Sequence, residues 1–349
     1  MESDNCETAG PARVPETPSP GRTVAVAPGV LWIRMSLPFV LDHINLWAIE
    51  DGDGWTIVDT GIRHPDLIAT WERLLAEDLG QRRVTRILVT HMHPDHAGLA
   101  GWLTERFGCR LWMTRTEYLT ARSIATRTGA EPTQGTEEFG RRAGWTAEEV
   151  ASNIARRANM AQLYGPFPDS FKRLRDGETL LIGGREWKVI AGGGHTPEHA
   201  CLHCPSLDLL ISGDKVLPKI SSNISVDAAE PDDDPLSEWF ETLAALRDRV
   251  PDSVLVLPSH KGCFRGLHAR IDELIADQQD ALLRLERVLT TPKRAVDLFE
   301  TLFSRPIERS NISLLSLATG ETIALLNHLL ARGAIQRRQD DGVTIYQAR

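Results

Sequence analysis

Short β-type apolar runs separated by polar turns begin near residue 23 and organise the first half of the chain. Positions 24–26, 31–35, 44–49 and 55–59 read as strands. The last two flank Glu50-Asp51-Gly52-Asp53-Gly54, whose glycines can take positive φ, so the pattern predicts a hairpin. Residues 67–79 carry helical spacing, and 84–90 read as a buried strand that stops abruptly at His91. A helix over about 98–107 and a strand over 110–113 continue the alternation. Residues 115–175 differ: helical segments rich in Arg and Glu, broken at 129–135 and 165–168, read as a helical insertion. Strand character returns at 179–182, 186–191, 199–203, 207–212 and 254–258, with a helix over 235–249. The chain therefore reads as an α/β body.

From about residue 291 the pattern turns helical and then hairpin-like. Helices are predicted over 294–303, 313–318 and 321–332, with a turn at Gly320, followed by strands 335–338 and 343–346 around Asp340-Asp341-Gly342. That order is winged-helix-like. Residues 1–22, rich in proline and small polar residues, hold too little apolar surface to offset ordering entropy and read as a disordered tail. The expected organisation is a tail (1–22), a body (23–285) with the insertion at 115–175, and a winged-helix-like segment (286–349).

Composition narrows the class. The 349 residues are 42% hydrophobic and 25% charged, with a net charge of −9. That is ordinary for a globular chain and disfavours a general polyanion binder, whose affinity rests on clustered Lys and Arg. The last 64 residues carry 9 basic and 7 acidic side chains, too weak an excess for a DNA-binding claim, so packing or dimerisation is the favoured reading of that segment. Five scattered cysteines fit a reducing compartment rather than a disulfide framework. The start lacks a secretory pattern and no run of about 18 apolar residues occurs, so the expectation is a cytoplasmic protein without a membrane partner.

The sharpest chemistry lies at His91-Met92-His93-Pro94-Asp95-His96, four potential ligands within six residues after a buried strand, in a chain with only 11 histidines. Imidazole and carboxylate together suit Zn²⁺, Fe or Mn²⁺. His195, Asp214 and His260 each follow another predicted strand. Ligands gathered from several strand ends make one site along one sheet edge.

These motifs resemble the metallo-β-lactamase-fold metallohydrolases over about residues 23–285. The family's His-x-His-x-Asp-His stands as His91 to His96, its acidic strand end as Val58-Asp59-Thr60-Gly61, and its third histidine motif as Gly194-His195-Thr196-Pro197. Its bridging acid stands as Ser212-Gly213-Asp214 and its last histidine as Pro258-Ser259-His260. The resemblance implies an αββα sandwich with a two-metal site. It assigns His91, His93 and His195 to one ion, Asp95, His96 and His260 to the other, and Asp214 to both. Asp59 and His199 would orient ligands. No cysteine joins this set, which departs from the cysteine-containing β-lactamase sites and argues against antibiotic hydrolysis as the main activity. The C-terminal segment resembles that of a glyoxalase-II-like and β-lactamase-like-2-like subgroup.

Two divalent ions, Zn²⁺ first among the candidates with Fe or Mn²⁺ also suited, would generate a bridging hydroxide and polarise a scissile bond. Asp95 could relay a proton to the leaving group. His43, Tyr164, Phe167 and Lys215 are candidate pocket residues, with Trp145 in the same insertion as Tyr164 and Phe167. The leading expectation is hydrolysis of a small ester, thioester or lactone, with a small-molecule acyl substrate as partner. The alternatives are a metal-dependent ribonuclease, a mononuclear-iron persulfide dioxygenase, and a non-catalytic DNA-binding sensor. Homodimerisation through the tail or insertion stays open.

Overall fold

The computed structural model describes residues 14–126 and 134–349. The first sheet has β1 (Arg22–Ala27), β2 (Val30–Ser36), β3 (His43–Asp51), β4 (Gly54–Val58), β5 (Val84–Leu88), β6 (Arg110–Met113) and β7 (Phe171–Arg173), neighbours in chain order. Pairing is antiparallel from β1 to β4 and parallel from β4 to β7. The second sheet has β8 (Thr179–Ile182), β9 (Arg185–Gly192), β10 (His199–Cys204), β11 (Leu209–Gly213) and β12 (Leu255–Pro258), also in chain order. Only its β11–β12 pairing is parallel. A separate hairpin, β13 (Ile335–Asp340) with β14 (Val343–Ala348), ends the chain.

Side-chain alternation sorts these strands into four layers. On β3, Trp47 and Ile49 face a core between the sheets with Trp32, Val58, Val189, Ile211 and Leu257. Ile44, Leu46 and Ala48 face the opposite side. There they meet residues of α1 (Pro65–Ala76), α3 (Ala100–Phe107) and α4 (Arg115–Ala125), such as Trp71, Leu103 and Tyr118. Between α1 and α4 the four-residue α2 (Pro94–Ala97) precedes α3. On the second sheet's outer face, Ile190, Cys201 and Leu210 pack with α7 (Pro235–Arg249), α8 (Leu267–Val288) and α10 (Ile312–Ala331). The result is the αββα sandwich that the resemblance implies. The insertion supplies α5 (Gln134–Ala143) and α6 (Ala147–Met160), and α9 (Phe299–Leu302) precedes α10.

Several elements differ from the sequence reading. The span 115–175 is not wholly helical, since β7 extends the first sheet by pairing parallel with β6. α8, at 22 residues the longest described helix, has no counterpart in the sequence reading. It runs through the boundary expected at 285/286, and the core joins Ile190 and Leu210 of the sheet to Leu315 and Leu326 of the C-terminal segment. The turn expected at Gly320 is absent, because 312–331 form one helix. Gly320 is a close-approach residue: a Cβ there would lie 2.6 Å from the Val226 carbonyl oxygen. Helices still precede the β13–β14 hairpin, as α8, α9 and α10, and what the structure changes in this part of the reading is the break expected at Gly320.

By length and composition α10 could cross a membrane, yet 67% of its apolar window is buried in the fold, as befits a core helix. Of the expected disordered start, residues 1–13 lie outside the described residues. In its remainder Pro18 is buried and the Gly21 amide donates to the Arg34 carbonyl at 2.6 Å. The break expected at 129–135 lies, up to residue 133, outside the described residues.

Candidate metal centre

Five strand ends meet at one edge of the sandwich. β4 leads into Asp59, β5 into His91, β9 into His195, β11 into Asp214 and β12 into His260. Main-chain hydrogen bonds close the sheets onto each other there. The Thr90 carbonyl beyond β5 accepts from Ala200 of β10 at 2.9 Å, and the Ser259 carbonyl beyond β12 accepts from Asn45 of β3 at 2.7 Å.

This closure gathers the donors into two groups. His91, His93, His195 and Asp214 form one, and Asp95, His96 and His260 the other, with the donor atoms of each within 4.8 Å of one another. Asp214 serves both. Its Oδ2 lies 3.6 Å from His195 Nε2 and 4.0 Å from His91 Nε2, while its Oδ1 lies 3.4 Å from His260 Nε2 and 3.6 Å from His96 Nε2. His91 Nε2 and His93 Nδ1 stand 2.9 Å apart, near the roughly 3.3 Å expected for two nitrogens on one tetrahedral Zn²⁺.

The outer hydrogen bonds set the tautomers. Nδ1 of His96 donates to Asp59 Oδ2 at 2.8 Å, that of His195 to the Asn223 carbonyl at 2.7 Å, and that of His260 to the His43 carbonyl at 2.8 Å. Each ring then turns its Nε2 towards the cluster, the atom with which it would hold a metal. The Nε2 atoms of His96 and His195 and Oδ1 of Asp214 are buried without a hydrogen-bond partner. Orphaned polar atoms of this kind carry a desolvation penalty unless something binds them, so the residues present fit divalent cations.

Electrostatics divide the two groups. Burial holds the His91 pKa well below the ordinary range, lowers His93 to about 3 and also lowers His195, which keeps these rings neutral. Around the second group burial opposes charge on His96, yet Asp59, Asp95 and Asp214 raise it well above its ordinary value. Burial likewise opposes charge on His260, and Asp214 and Asp95 raise it to about 10. Burial alone would raise Asp95, but His96 and His260 hold it down at about 2. The carboxylates of this corner favour positive charge at His96 and His260, a role that a bound cation would take over from protons.

A family model described as metallo-beta-lactamase superfamily matches residues 40–260. The chain belongs to the metallo-beta-lactamase superfamily. A second model, the metallo-beta-lactamase-like C-terminal domain, matches residues 282–349. The chain is similar to the "Probable metallo-hydrolase YqjP" of Bacillus subtilis (strain 168), 24% identical over 91% of this chain and 97% of that protein. A beta-lactamase domain protein from Burkholderia ambifaria superposes with a TM-score of 0.87 at 38% identity, covering 96% of each chain. The metallo-beta-lactamase family protein TTHA1429 from Thermus thermophilus gives 0.77 at 28% identity, covering 93% of this chain and all 100% of that one. As a member of this superfamily the protein is a metal-dependent hydrolase.

The metallo-beta-lactamase centre is held by neighbours the motifs single out and by others they do not. Asp59, at φ 62°, accepts from the Thr90 amide and hydroxyl as well as from His96. His199 Nε2 accepts the Asp214 amide at 3.1 Å, so that nitrogen is engaged in orienting Asp214. Gly213 permits this approach: its φ is +54°, and a Cβ there would meet His199 Nε2 at 2.5 Å. His43 borders the site from below His260. Its Nε2 accepts the Lys261 amide at 2.7 Å and its Nδ1 donates to Asp42 at 2.6 Å.

The candidate pocket residues of the insertion and of the Asp214 loop are engaged in contacts within the protein. Tyr164 is buried and donates to the Met92 carbonyl, Phe167 packs against Tyr118 and Tyr164, and Trp145 donates to Thr319 at 3.0 Å. Tyr164 thus ties the insertion to the body, Phe167 packs within the insertion, and Trp145 ties it to α10. Lys215 is buried, and its Nζ donates to the Gly192 and Gly193 carbonyls at 3.0 and 2.6 Å. Its charge therefore serves the backbone before His195, not a substrate. Sequence reasoning missed Glu117, whose buried carboxylate accepts the Met92 and Glu198 amides. It missed Asn45, which donates to the Pro258 and Lys261 carbonyls. It also missed Asn223 and Glu321, joined at 2.7 Å behind His195.

Proposed function

We propose that the protein hydrolyses a small ester, thioester or lactone with an apolar acyl part, using two divalent ions, Zn²⁺ before Fe or Mn²⁺. The observation that supports the acyl class is the character of the site's flanks. Of the eight large hydrophobic side chains left exposed among the described residues, Phe39 and Val40 lie on the loop just before His43, and Leu314 and Leu317 lie on α10. His43 carries the carbonyl that holds His260. Leu317 lies one helical turn before Glu321, whose partner Asn223 holds His195. Apolar surface thus adjoins both ends of the ligand set, which suits an acyl chain better than a polyanion.

Bound there, two divalent ions would supply hydroxide near neutral pH and polarise a carbonyl oxygen. His91, His93 and His195 would hold one ion and Asp95, His96 and His260 the other, with Asp214 shared. Asp95 has a partly exposed carboxylate, 3.5 Å from His260 Nε2 and 3.6 Å from His96 Nε2. In this reading it passes a proton to the leaving group as well as holding its ion.

The test is turnover by the zinc-loaded protein on p-nitrophenyl esters and acyl thioesters of increasing chain length, lactones, a single-stranded RNA and a persulfide. The expected result is kcat/KM rising with acyl length. Cleavage of RNA without acyl turnover would overturn the reading, as would one iron per chain with oxygen uptake on the persulfide.

A further inference from the structure

The first group of ligands, His91, His93 and His195, rests on two buried charged side chains that take no part in the ligand set. Glu117, near the start of α4, is fully buried. One carboxylate oxygen accepts the Met92 amide at 2.8 Å and the other the Glu198 amide at 2.7 Å. Met92 lies between His91 and His93, and Glu198 lies three residues after His195, so one carboxylate fixes both loops. Lys215 follows Asp214 and holds the other side of the His195 loop through the carbonyls of Gly192 and Gly193. Its ammonium also lies 5.1 Å above the Trp239 ring. The His195 loop is therefore clamped before the histidine by a cation and after it by an anion. Three glycines in that loop (192–194) supply no stiffness of their own.

The second group is held by different residues: Asp59 for His96, and His43 with Asn45 for the turn carrying His260. We infer that Glu117 and Lys215 are positioning residues dedicated to the first ion's site, preorganising its three histidines without touching the ion, while the second site keeps its own support. Buried charged hydrogen bonds of this kind fix geometry strongly when complete and disrupt it when one partner is removed. The inference rests on the two-ion reading above.

The experiment strips the full-length protein of metal and titrates it with Zn²⁺ against a chelating dye, and with Co²⁺ followed by its visible spectrum. The proteins compared are wild type, Glu117→Asp, Lys215→Met and Lys215→Arg. Wild type binding two ions per chain tests the two-ion reading by itself, and any other stoichiometry sinks that reading first. Given two ions, Glu117→Asp is expected to weaken one of them by about tenfold or more and leave the other within about twofold, since the shortened carboxylate cannot span both amides. Lys215→Met should weaken the same ion, and Lys215→Arg, which keeps donors for the two carbonyls, should restore part of the loss. The Co²⁺ spectrum should change for that ion alone. Wild-type affinity at both sites in Glu117→Asp and Lys215→Met overturns the inference. So does an equal loss at both sites, which would mark a general structural role. If Lys215→Met fails to fold by circular dichroism, Glu117→Asp and Lys215→Arg decide by the same criteria.

Discussion

Glu321 on α10 accepts a hydrogen bond from the Asn223 side-chain amide at 2.7 Å, while the Asn223 carbonyl takes the Nδ1 proton of His195 at the same distance. The C-terminal helix α10 thus lies two hydrogen bonds from a candidate metal ligand, and the segment it belongs to is structurally part of the site.

Burial pushes the Glu321 carboxyl up to about 7 from its usual 4.5, with the Asn223 bond opposing. In the fold it keeps its proton where the unfolded chain has released it, so its contribution to stability declines as pH rises from about 4.5 through 7. Glu321→Gln keeps an acceptor for Asn223 and removes this titration. In urea unfolding of metal-free protein, its stability relative to wild type should rise between about pH 5 and pH 8 by about 1–3 kcal/mol. A difference that stays flat across that range contradicts the assignment.

Asp59→Asn isolates charge from backbone. Asparagine accommodates positive φ readily, so the φ 62° turn should survive. What is lost is the carboxylate that orients His96 Nδ1–H. Zinc affinity should fall about 10–100-fold in chelator competition, with near-native circular dichroism. Unchanged affinity would mean that His96 is oriented by something else.

Gly320→Ala decides between a turn glycine and a close-approach glycine by the sign of the stability change. In an exposed helix the substitution would stabilise by up to about 1 kcal/mol. Here the new methyl would lie 2.6 Å from the Val226 oxygen and 3.0 Å from Ser225 Cβ, so unfolding in urea should show a loss of about 1–3 kcal/mol.

Leu317→Ser tests the apolar flank on α10. The side chain is exposed, so stability should barely move. For a long acyl substrate KM should rise about tenfold, the equivalent of one or two lost methylene contacts, while a two-carbon ester keeps wild-type kinetics. An equal effect on both substrates would remove Leu317 from the acyl path.

Much of the centre is legible in the chain itself. The ligands stand in the sequence, because each follows an apolar run that ends abruptly, and His91 to His96 concentrate four donors in six residues. The residues that hold them do not. Glu117 and Asn223 act through backbone atoms brought close by chain folding, at separations of 25 and 28 residues, and leave no local signature. Lys215 looks like a loop cation because nothing in the chain reveals two carbonyls waiting for it. The sequence reading splits α10 because glycine within a helical pattern reads as a break, whereas Gly320 is there to let Val226 approach. The longest described helix, α8, has its apolar stripe at 267, 271, 274, 281, 282 and 285 in plain view, with Gln278 buried among them. It begins at Gly266 with no side-chain cap, so the usual start signal is missing.

The most direct test of the central claim is a metal titration followed by turnover. Chelator-stripped protein receives Zn²⁺ in increments while hydrolysis of a medium-chain acyl thioester is recorded. Because Asp214 offers one oxygen to each group of histidines, activity should stay low through the first equivalent per chain and reach its plateau at the second. Full activity at one equivalent, or none at two, would contradict a two-metal acyl hydrolase.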